Sequence, residues 1–222
     1  MKDCLKKLNE CVEFGKINQA SPYPAQLKGQ PGADEWTKIA LDEGISPKTI
    51  LDEALIPAMN AIGLKFSEGK AFVPQMLLSA KAMNIAMKYL KPFYQSGDIK
   101  QKGVFIIGTV QGDLHDIGKN LVGMLAEGNG WKVIDLGTDV SAEKYIKALD
   151  ENPDGICGMS ALLTTTMVNM GPIVSAIHKK HPNTKIVVGG PPLSTKFALE
   201  IGANAYSRDT QDNVNWLNSI KA

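Results

Sequence analysis

Ten residues near the middle of the chain hold its densest polar chemistry: Gln111-Gly112-Asp113-Leu114-His115-Asp116-Ile117-Gly118-Lys119-Asn120. Three chemistries could use them. Gly118-Lys119 resembles the end of a phosphate-binding loop, which needs a glycine five residues earlier and a hydroxyl after the lysine. Asp113 and Asn120 stand there instead, and a carboxylate in the cradle would repel phosphate. No G-x-G-x-x-G replaces it. Second, Asp113, His115 and Asp116 could hold a hard divalent metal for hydrolysis. Two-metal hydrolysis wants another cluster of histidines and carboxylates, and only His178 and His181 remain. They sit just before Pro182, where histidines suit a helix C-terminus. Third, His115 could be the single axial ligand of a softer metal. A metal-bound imidazole usually gives its other ring N–H to a carboxylate, and Asp113 is two residues away. A large ligand also needs room, which Gly112, Gly118, Ser160, Ala161, Gly189 and Gly190 would leave. On residue types alone the second and third chemistries both stay open.

Composition bounds the scaffold that must carry these residues. The chain has 222 residues, 44% hydrophobic and 21% charged, with a net charge of +1. Those are the proportions of a globular protein of one or two domains. The balanced charge provides no basic face for duplex nucleic acid and none for an anionic membrane surface. No apolar run approaches the roughly 18 residues of a membrane span, and the N-terminus lacks the apolar core of a signal peptide. Cys4, Cys11 and Cys157 form no C-x-x-C pair, which argues against a zinc cluster and for a reducing, cytoplasmic setting. Cys4 and Cys11 are expected to be core residues on one helix face.

Apolar spacing changes character near Lys100. Before it the period is helical. Leu5, Leu8 and Val12 fit a first helix, and the Pro- and Gly-rich stretch 21–32 reads as a loop. Residues 35–43 read as a second helix. Ser46-Pro47 starts a third, with Ile50, Leu51, Ala54, Leu55, Met59 and Ile62 on one face and Pro57 a candidate kink. A turn at 67–70 leads to a last helix from Pro74, expected to stop at Pro92. This is a small bundle.

Beyond Lys100, β-branched runs alternate with helical ones. Strands are expected at 104–110, 131–136, 155–160, 185–188 and 203–206, and helices at 117–127, 142–149, 167–180, 194–200 and 212–220. Parallel strands need crossover helices, so this alternation implies an α/β doubly wound five-stranded parallel sheet. The order 2-1-3-4-5 would open a ligand crevice at the carboxyl ends of strands one and three. Both loops there are polar: the His115 loop and the run Ser160-Ala161-Leu162-Leu163-Thr164-Thr165-Thr166.

Three short motifs then carry a family likeness. Asp113-Leu114-His115-Asp116-Ile117-Gly118 resembles the D-x-H-x-x-G signature of cobalamin-binding domains. Ser160-Ala161-Leu162 resembles their S-x-L motif and Gly189-Gly190 their G-G motif, each after the matching strand. The segment from Ile62-Gly63 through Phe66 to Val73-Pro74-Gln75 is similar to the helical cap of methionine synthase and of corrinoid methyl-carrier proteins. The likeness covers residues 35–222. It divides the chain into an N-terminal extension (1–34), a helical cap (35–98) and a flavodoxin-like cobalamin-binding domain (99–222).

What the resemblance implies is specific. His115 would replace the cofactor's own base as lower cobalt ligand, Asp113 would accept its N–H, and Thr166 would extend that relay. Gly118 and Gly189-Gly190 would make way for the nucleotide tail, Ser160 would hydrogen-bond the displaced base, and Leu162 and Thr164 would be further cofactor-binding positions. Phe66 and Val73 would cover the upper face, Val73 being smaller than the leucine usual there. The cofactor would be cobalamin or a related corrinoid, cycling between cobalt(I) and methyl-cobalt(III). No catalytic acid for a methyl donor is found in the chain, so a methyl-carrying subunit is implied rather than a complete enzyme. Its partners would be a substrate-specific barrel-type methyltransferase, a tetrahydrofolate or coenzyme M methyltransferase, and a reductive activator. Cobalamin-responsive sensors and the small subunits of mutases share the fold. The first usually carry a basic DNA-binding element that this sequence lacks, and the second need more space above cobalt.

Overall fold

A computed structural model describes residues 2–95 and 100–220. The chain forms two compact units: Met1–Gln101 with Gly128–Gly130, and Lys102–Glu127 with Trp131–Ala222. The expected boundary between residues 98 and 99 lies outside the described residues.

The first unit is helical: α1 (Lys2–Glu13), α2 (Ala33–Asp42), α3 (Pro47–Ile50), α4 (Ile56–Ser67) and α5 (Val73–Gln95). Helix α1 buries Cys4, Leu5, Leu8, Cys11 and Val12, so the segment read as an extension contributes to the core of this unit. The Cys11 thiol is pushed up to about 12 by burial, which makes it an inert packing group. Ser46 caps α3, its Oγ accepting the Thr49 N–H at 3.0 Å, with Pro47 at the first helical position. A π-helical segment, Leu51–Leu55, precedes α4. Pro57 cannot donate and its ring crowds the preceding turn, so the widened turn answers the expected kink. Pro92 does not stop α5, which continues to Gln95. The proline takes one donor from the ladder and crowds the preceding turn, yet the helix runs through it.

The second unit is a five-stranded parallel sheet. Its elements are β1 (Val104–Thr109), α6 (Ile117–Gly128), β2 (Lys132–Asp135), α7 (Ala142–Glu151), β3 (Ile156–Ser160), α8 (Thr164–Met167), α9 (Met170–Lys180), β4 (Ile186–Gly189), α10 (Thr195–Glu200), β5 (Ala205–Ser207) and α11 (Thr210–Ile220). The strand order is β2-β1-β3-β4-β5, and every pairing is parallel. Alternate residues feed two cores. Ile106, Cys157, Met159, Ile186 and Val188 pack with α7 and α9, while Phe105, Ile107, Ile156 and Val187 pack with Ala126 of α6 and Leu217 of α11. A strand buried on both faces must be apolar at every position, which is why the run from Val104 was legible. The single helix expected over 167–180 is two, α8 and α9, interrupted at Val168-Asn169.

Candidate functional site

The site is built where β1 and β3 end. Val110 closes β1 by donating to Ser160 C=O at 2.9 Å, and the chain then turns, with Asp113 N–H donating to Val110 C=O at 3.0 Å. Gly112, at φ 85°, allows that turn. Asp113 is thereby tucked under the loop and is buried, while His115 stays half exposed, its side chain 51% accessible.

Both carboxylate oxygens of Asp113 are fully engaged. Oδ1 accepts the His115 backbone N–H at 3.0 Å and lies 2.8 Å from His115 Nδ1. Oδ2 accepts the Thr166 hydroxyl at 2.6 Å and the N–H groups of Leu162 at 2.8 Å and Leu163 at 3.4 Å. Burial opposes ionisation of this carboxyl, but the hydroxyl and backbone donors outweigh it and hold the group well below the usual carboxylate range. An ionised carboxylate only accepts, so His115 Nδ1 must carry the proton. In the neutral form of this half-exposed ring the lone pair is then on Nε2, the arrangement that binds a metal.

A pH dependence follows. The folded-state pKa of Asp113 is depressed, so its stabilisation is complete above the unfolded value of about 3.9 and is lost as pH falls through the folded one. Urea midpoints of the wild type should therefore fall from pH 6 to pH 3. Asp113→Asn should show a shallower fall, and equal slopes would remove Asp113 as a contributor.

The expected residues divide clearly. Asp113, His115 and Thr166 form one hydrogen-bonded unit, joined by the backbone of Leu162. Ser160 enters through its carbonyl. Thr164 opens α8 and is exposed; it is Thr166, one turn position further, that reaches the carboxylate. Gly118 lies in the first turn of α6, where an added Cβ would meet nothing within 4 Å. Gly190 has φ 133° and passes so close to Ala161 that a Cβ would lie 1.9 Å from its carbonyl oxygen. Gly189 is freer, with a Cβ 3.4 Å from the Ser207 carbonyl oxygen. In the helical unit, Phe66 ends α4 and Val73 begins α5, both half-buried, on either side of the turn containing Gly69.

Three supports were not foreseen. Thr109 Oγ1 donates to His115 C=O at 2.9 Å, Asn169 Nδ2 donates to Gln111 C=O at 2.8 Å, and Asp139 Oδ1 accepts the Gly112 N–H at 2.8 Å. Asn169 occupies the break between α8 and α9, which accounts for that break. Nothing in a linear pattern marks these residues; only the strand order brings their loops together.

The hard-metal alternative finds no support. Among the described residues no group of three or more His, Cys, Asp or Glu could hold a metal ion. Asp116 accepts from Asn120 Nδ2 at 3.0 Å. His178 Nε2 meets Thr184 C=O and His181 Nε2 meets Asp150, each at 3.1 Å, so these two serve the end of α9.

Residues around the loop fit a large, partly apolar ligand with a polar tail. Leu114, Ile117, Leu162, Leu163 and Val168 are all exposed on or beside the loops after β1 and β3, an apolar surface too concentrated to be incidental. Ser207 pairs with Gly189 across β4 and β5, and its buried Oγ lacks a hydrogen-bond partner, as do the buried Thr210 Oγ1 and Asn213 Oδ1 at the start of α11. Such orphans cost about 1–3 kcal/mol each unless a ligand or solvent satisfies them, and they offer groups to the polar part of a ligand.

Comparison with known proteins agrees. Two B12 binding domain families match, one over residues 103–214 and the other over residues 30–91. Corrinoid protein DSY3155 of Desulfitobacterium hafniense is 36% identical over 84% of this chain and 88% of its own length. Trimethylamine corrinoid protein 1 of Methanosarcina acetivorans is 34% identical over 85% of this chain and 89% of its own. The methanol:cobalamin methyltransferase complex MtaBC of Methanosarcina barkeri contains a chain with TM-score 0.80 and 26% identity, covering 99% of this chain and 80% of that one. With a matched family over half its length and relatives along most of it, the chain belongs to the B12-binding corrinoid proteins of methyltransferase systems.

Proposed function

We propose that the chain holds a corrinoid through His115 and carries a methyl group on its cobalt between two methyltransferases. The observation that carries this reading is the buried Asp113 carboxylate holding Nδ1 of the half-exposed His115 ring at 2.8 Å. When bound, the corrinoid supplies a cobalt centre that in its lowest oxidation state accepts a methyl group and later yields it. The rest belongs to the protein. Asp113 fixes the ring's tautomer and direction, and Thr166 fixes Asp113. With a corrinoid bound, His115 would hold the cobalt, and the His115–Asp113–Thr166 relay would take up a proton when that hold is lost. Gly118 and Gly189 leave room for the nucleotide, Gly190 lets the chain pass against Ala161, Ser160 and the backbone of Leu162 border the path, and Thr164 lies exposed at its entry. In the helical unit, Phe66 and Val73 are assigned to shielding the methyl-bearing face.

Partners follow from the chemistry. The similar complex is named for methanol and the similar corrinoid proteins for methylated amines. On this reading the donor is selected by a separate barrel-type methyltransferase, and this chain carries the methyl group. A tetrahydrofolate or coenzyme M methyltransferase would receive the methyl group, and a reductive activator would rescue oxidised cobalt. A cytoplasmic setting suits that chemistry. Among the described residues no helix is long and apolar enough to cross a membrane.

The test is spectroscopic. Protein incubated with hydroxocobalamin and passed through gel filtration should keep the corrin absorption bands. Those bands should shift on reduction and again on adding methyl iodide. A colourless protein would refute the proposal and return attention to the acidic metal reading.

A further inference from the structure

Asp139 is, among the described residues, the one non-glycine with positive φ, at 53°. A side chain at that backbone conformation is uncommon and persists where its surroundings hold it. Asp139 is exposed, in the loop between β2 and α7, so core packing does not hold it. Hydrogen bonds do. Its Oδ1 accepts the Gly112 N–H at 2.8 Å, and its own N–H donates to Asp113 C=O at 3.0 Å. The two bonds bracket the Gly112-Asp113 peptide from both ends. The bracket is itself fastened to β1, because Val140 N–H donates to Thr109 C=O at 2.9 Å and Thr109 N–H to Gly137 C=O at 3.0 Å.

We propose that Asp139 is a positioning residue for the axial histidine, acting through the main chain of Asp113. This rests on the corrinoid reading above. Asp113 can lock His115 only if its Oδ1 stays within hydrogen-bond reach of Nδ1, and such placements fail at displacements of about 0.5–1 Å. The turn that sets Oδ1 pivots on Gly112, the most freely rotating residue type. Asp139 removes that freedom without touching His115 or a ligand. Thr166 and Leu162 hold the far oxygen of the same carboxylate, so main chain and side chain of Asp113 are fixed from opposite sides.

Two substitutions separate backbone from carboxylate. Asp139→Gly keeps the left-handed conformation and removes the acceptor. Asp139→Asn keeps both, since asparagine tolerates that conformation and retains an oxygen. Nitrogen NMR of histidine-labelled protein without corrinoid should show His115 protonated at Nδ1 in the wild type and in Asp139→Asn. The Nε2-protonated fraction should rise at least threefold in Asp139→Gly. After loading the nitrogen-15 histidine protein with hydroxocobalamin and reduction to cobalt(II), the splitting from the labelled histidine nitrogen in the EPR spectrum, distinct from that of the cofactor's own unlabelled base, should fall by half or more in Asp139→Gly and recover in Asp139→Asn. A lowered unfolding midpoint with both signals unchanged would overturn the proposal by making Asp139 merely structural. If Asp139→Gly does not fold, wild-type exchange decides: the exposed Gly112 amide should exchange at least tenfold more slowly than a free amide, and a free rate would overturn the bracket. Should the wild type fail to retain corrinoid, the carrier reading falls, while the tautomer and exchange measurements still judge Asp139.

Discussion

His115→Ala should abolish the axial histidine signal of the bound cobalt(II) corrinoid. The prediction follows from how little else the imidazole does. Its side chain is half exposed, and its Nδ1 contact is only one of the bonds that hold Asp113. The loop itself is fastened through the backbone: His115 N–H to Asp113, and His115 C=O to Thr109. Removing the ring should therefore change unfolding free energy by about 1 kcal/mol or less, within the range of surface substitutions. Read in protein labelled with nitrogen-15 histidine, the loss of the histidine splitting should be complete, because the His115 loop presents no second imidazole and the other two histidines are engaged near the end of α9; a return of the cofactor's own base would show as the distinct splitting of ordinary nitrogen. Added nitrogen-15 imidazole should restore the lost splitting by filling the space left behind. A spectrum unchanged by the substitution would take the axial role away from His115. Loss of the signal together with loss of the fold, read by circular dichroism, would mean that the ring holds the loop in place as well as the metal.

Much of this site could be read before any coordinates, and the reason lies in what is local. Asp113 and His115 are two residues apart, so their pairing needs only a tight turn, and Gly112 supplies it. The alternation of strand and helix is likewise a neighbour-by-neighbour property, and right-handed crossovers leave few ways to assemble it. Thr166 was named through the family resemblance; it falls on the loop after β3, which the strand order places beside the loop after β1. Asp139 was not reachable. Its bond to Gly112 spans 27 positions, and its residue type is ordinary for a loop. Asn169 was hidden for the same reason, and with it the division between α8 and α9: an apolar period runs across Val168-Asn169 as if the helix were continuous. Pro92 misled in the opposite direction. A proline reads as a stop, yet here the helix runs through it to Gln95 in spite of the donor it lacks.

The two glycines after β4 should behave in opposite ways, and the contrast separates fold from ligand room. At Gly190 an added Cβ would lie 1.9 Å from the Ala161 carbonyl oxygen and 3.0 Å from its carbonyl carbon, at a φ of 133°. Neither partner is the movable end of a side chain, so the main chain must shift. Overpacking and backbone strain each cost about 1–3 kcal/mol, and Gly190→Ala should lower unfolding free energy by about 2–5 kcal/mol. The damage should also reach the metal ligand. Ala161 immediately precedes Leu162, whose N–H holds Asp113 Oδ2 at 2.8 Å, so displacing Ala161 loosens the carboxylate that orients His115. Gly189 has no such conflict: its Cβ would sit 3.4 Å from the Ser207 carbonyl oxygen and 4.0 Å from Ser207 Cβ. Gly189→Ala should change unfolding by about 1 kcal/mol or less yet reduce corrinoid retention at least tenfold, because the methyl group would occupy space the protein itself does not use. Urea denaturation without corrinoid and titration with hydroxocobalamin would read the two effects apart. If Gly189→Ala binds as tightly as the wild type, the nucleotide does not pass this strand end, and the role of Gly190 reduces to allowing β4 to lie against Ala161.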